Sequence, residues 1–277
     1  MRRTLTTVLA ASVALAATPY STEIASWRTA YEASLKAPSG WLAVAGLFWL
    51  HDGENVVGSD PLSDIVTPAR TAKRVGVLKL TGGSVLFTPV TGTPKTLQSD
   101  NPGPPDVVDL DGVAMTIIVR GGKLGVRLRD PEAQTRREYT GSHWFPVDGK
   151  WRFHAKWTAS PPGKTITITN ILGMTSQEPT PGFAEFDLAG QHLRLEPVIE
   201  DGDLFFMFKD ATTGQSTYGA GRFLHAAMPK DGAVDLDFNK AYNPPCAFTA
   251  FSTCPLPPRQ NALPIAIEAG EKNYGKH

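Results

Sequence analysis

The sequence predicts a mainly β fold of antiparallel hairpins, arranged as one large sandwich-like body or two small β-domains, with one N-terminal α-helix. Three observations predict it. Period-two apolar alternation recurs from Gly40 onward, glycine-containing turns punctuate it at hairpin spacing, and only one segment carries an extended helical spacing of apolar residues.

The helix comes first. Ser21 or Thr22 is placed to cap a helix over 22–37 in which Ile24, Trp27, Tyr31 and Leu35 share one face, and Pro38 stops it. In the N-terminal β region, 40–130, Val75, Val77 and Lys79 alternate with Gly76, Leu78 and Leu80 before Gly82-Gly83 turns the chain into Val85-Leu86-Phe87. Met115 to Val119, the turn at Gly121-Gly122 and Leu124 to Leu128 give a second hairpin. The charged stretch from Asp130 to Glu138 marks a boundary, after which a C-terminal β region spans 140–277. Within it Trp151, Phe153 and Trp157 form the aromatic core face of a strand whose outer face carries Arg152, His154 and Lys156; a ring-binding groove is the alternative for these aromatics. Thr165 to Thr169 is a half-buried strand. Phe183 to Leu188 and Leu193 to Ile199 flank a turn at Ala189-Gly190-Gln191, and Glu200-Asp201-Gly202-Asp203 turns into the apolar run Leu204 to Phe208. Parallel α/β folds are disfavoured, since their crossover helices are missing.

Composition then narrows function. The 277 residues hold 27 Lys plus Arg against 27 Asp plus Glu with no basic run, which argues against nucleic-acid binding. Residues 1–17 read as a secretory signal: Met1-Arg2-Arg3, an apolar stretch from Val8, and an Ala-x-Ala end before Thr18-Pro19. No later run reaches the roughly 18 apolar residues of a membrane span, so no stable membrane insertion is expected after signal removal. The expected location is periplasmic or secreted. A G-x-S-x-G elbow, a dinucleotide fingerprint, a Walker loop, H-E-x-x-H and C-x-x-C are all absent from the sequence.

Chemistry concentrates in the last seventy residues: Ser216-Thr217-Tyr218-Gly219-Ala220-Gly221-Arg222, Asp235 to Phe248 reading DLDFNKAYNPPCAF, Thr253-Cys254-Pro255-Leu256-Pro257-Pro258, and Ala269-Gly270-Glu271. These blocks closely resemble the bacterial and archaeal family catalogued as domain of unknown function 1684, and the likeness extends loosely back through Gly40-Trp41-Leu42 to about residue 26. The resemblance implies kinship and carries no activity. Gly53 to Ser59 with Asp64-Ile65-Val66 also resembles the opening of a forkhead-associated β-sandwich. Ser59 stands where that family has a phosphate-contacting Arg and no S-x-x-H follows, so phosphothreonine binding is not carried over.

Read physically, Asp235, Asp237 and Asn239 alternate with Leu236 and Phe238, so a strand would line three oxygen-bearing side chains along one face about 6.5–7 Å apart. Such a row holds a divalent metal, a water or a substrate hydroxyl, or is simply the wet side of a strand. Lys240 occupies the place an EF-hand loop needs as Gly. Arg222 can pair with Asp210, pair with the acidic row, or grip an anionic substrate. The catalytic candidates are therefore Asp210, Arg222, Asp235 and Asp237; the ligand-binding candidates are Arg222, Asn239, Tyr242 and Asn243; the metal candidates are Asp235 and Asp237, with no other cofactor expected. Asn243 before Pro244-Pro245 is biased to an extended conformation, and either proline is a candidate cis residue. Cys246 and Cys254, both beyond the export signal, are expected to form a disulfide contributing about 2.5 kcal/mol; the rival is a thiol activated by His225 or Arg222. The function these residues favour is small-molecule binding in a pocket built by the C-terminal motifs, with an exported hydrolase using an Asp/Arg site, with or without a metal, as the alternative.

Overall fold

The computed structural model describes residues 19–275, so the expected signal peptide, 1–17, lies outside the described residues. The helix runs Pro19–Lys36, opening at Pro19 rather than at 22, a first-turn position where proline's missing N–H costs nothing. Ile24 and Leu35 are buried, and Trp27 and Tyr31 half-buried. No described helix is long and apolar enough to cross a membrane.

A short helix, Gln134–Glu138, follows the N-terminal half, and the strands otherwise pair antiparallel, apart from a two-residue parallel pairing of Ile65–Val66 with Gly53–Gly58. In the N-terminal half, one sheet orders Val44–Trp49, Lys123–Arg129, Val113–Arg120 and Val107–Leu110; the other orders Ile65–Val66, Gly53–Gly58, Gly76–Thr81, Ser84–Pro89 and Lys95–Leu97. Gly82-Gly83 and Gly121-Gly122 are the two-residue turns of their hairpins, between the register pairs Thr81 with Ser84 and Arg120 with Lys123. Between the sheets lies a core that includes Val57, Leu78, Phe87, Met115, Ile117, Val126 and Leu128. By strand alternation, Ala114, Thr116, Ile118, Arg120, Arg127 and Arg129 share the opposite face of the first sheet.

The C-terminal half has its own core. A sheet ordered Gln191–Leu195, Gly182–Leu188, Arg152–Ala159 and Ala233–Asp237 packs on one ordered Val198–Glu200, Asp203–Phe208 and Arg222–Ala226, and Thr165–Thr169 pairs with Thr175–Pro179. Asp203–Phe208 is covered on both sides. Leu204, Phe206 and Phe208 enter the main core, while Phe205 and Met207 point into a second cluster with Phe223, Ile166 and Ile168, which is why the run is continuously apolar rather than alternating.

Three local expectations are corrected. The strand drawn from Leu193 to Ile199 breaks at Glu196-Pro197, and Val198–Glu200 joins the other sheet; proline has no N–H with which to continue the ladder. The strand bearing the acidic row ends at Asp237, whose carboxylate accepts from the Asn239 N–H at 3.1 Å and starts the tight turn Phe238–Lys240. Asn239 is thereby swung off the outer face into the interior. Finally, among the described residues the cis peptide is Asn101–Pro102, so Pro244 and Pro245 are trans.

Candidate functional site

A cleft of about 560 Å³ opens where the helix, the second C-terminal core and the edge of the N-terminal half meet. Its walls are ring-rich. Trp27 and Tyr31 come from the helix, Phe205, Phe223 and His225 from adjacent strands, Tyr242 from the DFN.AYNPPCAF block, and Trp41 from the tight turn Trp41–Ala43. Helical spacing stacks Trp27 on Tyr31 at 5.6 Å and 3°, since the two are four residues apart and share a face. Pairing between Asp203–Phe208 and Arg222–Ala226 sets Phe205 opposite His225, stacked at 4.8 Å, and Tyr242 lies parallel to the same imidazole at 5.9 Å.

Polar groups converge at a few points. The Tyr242 hydroxyl lies 2.8 Å from His225 Nε2, and the Glu200 carboxylate approaches the same nitrogen at 3.4 Å. Burial lowers His225 and lifts the Glu200 carboxyl. Behind Asn243 lies Glu271, fully buried, which accepts from the Asn243 backbone N–H at 2.7 Å and from the Tyr31 hydroxyl at 3.3 Å. Desolvation raises the Glu271 carboxyl to about 7. Asn243 Oδ1 and Glu271 Oε1 are buried acceptors with no donor among the described residues. Gly270 makes this approach feasible: its φ of +75° and a virtual Cβ only 2.4 Å from the Ala241 carbonyl oxygen exclude any side chain.

Of the residues expected at a site, Tyr242 and Asn243 line this cleft. The others lie elsewhere. Arg222 and Asp210 meet at 2.7 Å with both side chains 1% exposed; the same guanidinium donates to the carbonyls of Ile267 and Ala269. Asp210 is itself closed by the Thr212 N–H and hydroxyl. This is a sealed structural knot, reached through Gly221, whose φ of +101° and closeness to the Phe208 carbonyl oxygen and Pro257 admit no Cβ. Asn239 is consumed by Asp148, accepting from its N–H at 3.1 Å and donating to its carbonyl at 2.9 Å. Asp237 accepts from Tyr20 at 2.8 Å. Asp235 faces solvent beside His154 and Arg152. Among the described residues no three His, Cys, Asp or Glu side chains converge as metal ligands.

Cys246 and Cys254 are free thiols in contact. The Cys246 N–H donates to Cys254 Sγ at 3.1 Å, and hydrogen bonding between the thiols holds Cys246 below the usual thiol range and Cys254 above it. Cys254 forms part of the cleft wall. Sequence reading missed Glu271, Trp27, Tyr31 and Arg120 as site residues. The ring spacing of the helix was visible, but it reads equally as packing.

The model of a protein of unknown function, DUF1684, matches residues 137–272. The solution NMR structure of the uncharacterized protein from gene locus rrnAC0354 of Haloarcula marismortui is 31% identical over 51% of this chain and 81% of that one, at a TM-score of 0.43. No curated protein matches.

Proposed function

Since the chain belongs to the DUF1684 family, whose description assigns no activity, we propose from the site alone that this is an exported protein that binds a small ring-bearing molecule in the aromatic cleft. The observation that carries the reading is the composition of the cleft: a volume within the roughly 300–1,000 Å³ usual for small-molecule sites, walls of flat rings, and a few converging polar groups. The motif residues Tyr242 and Asn243 supply one wall, which ties the family signature to the cleft. Export is supported by the Met1 to Ala17 pattern. The hydrolytic alternative loses its proposed pair, because Asp210 and Arg222 neutralise each other out of reach of solvent.

Titration with 1-naphthol, a neutral fused-ring probe, tests the reading. Binding is expected in the wild type and is expected to weaken by about tenfold in Trp27→Ala, as the loss of one stacking wall implies. Unchanged affinity in that variant, or no binding at all, would remove the cleft from consideration. Intact mass of protein recovered from its host is expected to begin at Thr18; a retained Met1 would refute export.

A further inference from the structure

One arginine lines the cleft, and two more lie against its wall residue Trp41. Arg120 lines the cleft directly and donates through Nε to Thr253 at 3.2 Å, while its other nitrogens clasp Asp100 at 2.8 and 3.0 Å. Arg127 and Arg129 follow on the adjacent strand, on the same face of the sheet. The Arg127 guanidinium lies 4.9 Å over the Trp41 ring and that of Arg129 6.0 Å from it. Trp41 is itself a wall of the cleft.

Their charges are out of balance. Among the described residues neither Arg127 nor Arg129 has a carboxylate at ion-pair distance; Asp100, already clasped by Arg120, is the carboxylate whose field reaches them, joined at Arg127 by the Cys254 thiol. Arg127 is 4% exposed, yet its Nε and Nη2 are buried without an acceptor, and Arg129 Nε is in the same state. A buried guanidinium is normally paired, because desolvating an uncompensated charge is expensive. Nε and Nη2 form the side-on edge of the guanidinium, which grips two oxygens of one anion at once. Both donors of that edge are buried and unpaired on Arg127, just behind the cleft wall formed by Trp41.

We infer that the Trp41 end of the cleft binds the phosphate of a ring-bearing phosphate monoester, gripped by Arg127 and Arg129 beside the Asp100-clasped Arg120. The inference rests on the cleft reading above and adds the class of ligand. Three guanidiniums against one carboxylate leave two positive charges, and a phosphate monoester carries about −1.5 to −2 near neutral pH, whereas a carboxylate answers only half of that excess. Trp41 and the other rings take the flat body of the ligand, and Arg127 is held on the Trp41 face before the anion arrives.

The test compares 1-naphthyl phosphate, 1-naphthoate and 1-naphthol by calorimetric titration of the wild-type protein and its Arg127→Met and Arg127→Lys variants. The phosphate is expected to bind at least about tenfold more tightly than the naphthol, with the naphthoate between them. Arg127→Met is expected to erase that advantage, read as the ratio of phosphate to naphthol affinity within each variant, and Arg127→Lys, which keeps charge but loses the fork, to restore only part of it. Arg129→Met is expected to give a smaller loss and serves if Arg127→Met does not fold. Equal affinity for phosphate and naphthol overturns this inference and leaves the cleft reading standing. Naphthoate binding as tightly as the phosphate also overturns it. Binding of the phosphate alone upholds the anion site and removes the ring-binding reading, and failure of all three removes both.

Discussion

Arg222 and Arg127 are both buried arginines projecting from β-strands, and they differ in what surrounds them. Arg222 has a carboxylate and two backbone carbonyls within hydrogen-bond reach and sits in the C-terminal half. Arg127, on the core-averted face of its sheet in the N-terminal half, has an aromatic ring and two buried, unpaired donors. Burial has lowered both, Arg127 to about 10 with Arg120 and Arg129 adding to the push, and Asp210 resists the shift at Arg222. Burial alone therefore does not separate a residue that holds the fold from one that awaits a ligand. The census of partners does.

The sharpest break of this comparison is Asp210→Ala, which turns Arg222 into a second uncompensated cation. It is expected to cost about 3–5 kcal/mol by chemical denaturation, the penalty for stranding one partner of a buried pair. A loss below about 1 kcal/mol would show that the two arginines are energetically alike.

Next in size is Glu271, which lies within the electrostatic reach of Arg222. Its carboxyl is raised in the fold to about 7 from an ordinary 4.5. The folded protein therefore keeps a proton that the unfolded chain has released across that window. The associated stability is fully present below about pH 4.5 and is lost as pH rises toward 7, on the order of 3 kcal/mol in all. Denaturation midpoints followed from pH 4.5 to 8 should show this decline in the wild type and lack it in Glu271→Gln. Parallel curves would refute the assignment.

The smallest effect sharpens the other side. Arg127→Met removes an unpaired buried charge and keeps most of the apolar stem, so thermal unfolding without ligand is expected to show a gain of about 1 kcal/mol. A clear loss would mean that the Arg127–Trp41 stack stabilises the fold in its own right.

How far the sequence reaches follows from the same distinction. Hairpins were legible because Gly82-Gly83, Gly121-Gly122 and Ala189-Gly190 declare their turns locally, and the doubly buried strand Asp203–Phe208 announced itself as an unbroken apolar run. The helix face of Ile24, Trp27, Tyr31 and Leu35 was legible by spacing. The site was legible only in part. Tyr242 and Asn243 stand in the cleft, but Arg222 and Asn239, equally suggestive as letters, are spent on Asp210 and Asp148. Which partner a polar side chain finds is decided by segments far away in the chain, and no local period encodes it. Arg127-Leu128-Arg129 does carry a trace, two cations spaced to share a strand face, but its meaning depends on Trp41, which arrives from the turn before the neighbouring strand Val44–Trp49.

Tyr31 and Glu271 are 240 residues apart along the chain and in contact in the fold, and Tyr20 reaches Asp237 across 217. A ribosome delivers the helix 240 residues before its carboxyl partner. Until Trp144 and then Tyr242 are made, Trp27 and Tyr31 lack the rings they pack against and present an apolar stripe to water, the kind of surface on which unfinished chains aggregate or are taken up by chaperones. The cleft is thus a late event in the life of each molecule. A chain that stops short of Glu271 would leave both hairpin-built cores intact in outline while the helix lost the buried carboxyl that Tyr31 and Asn243 share.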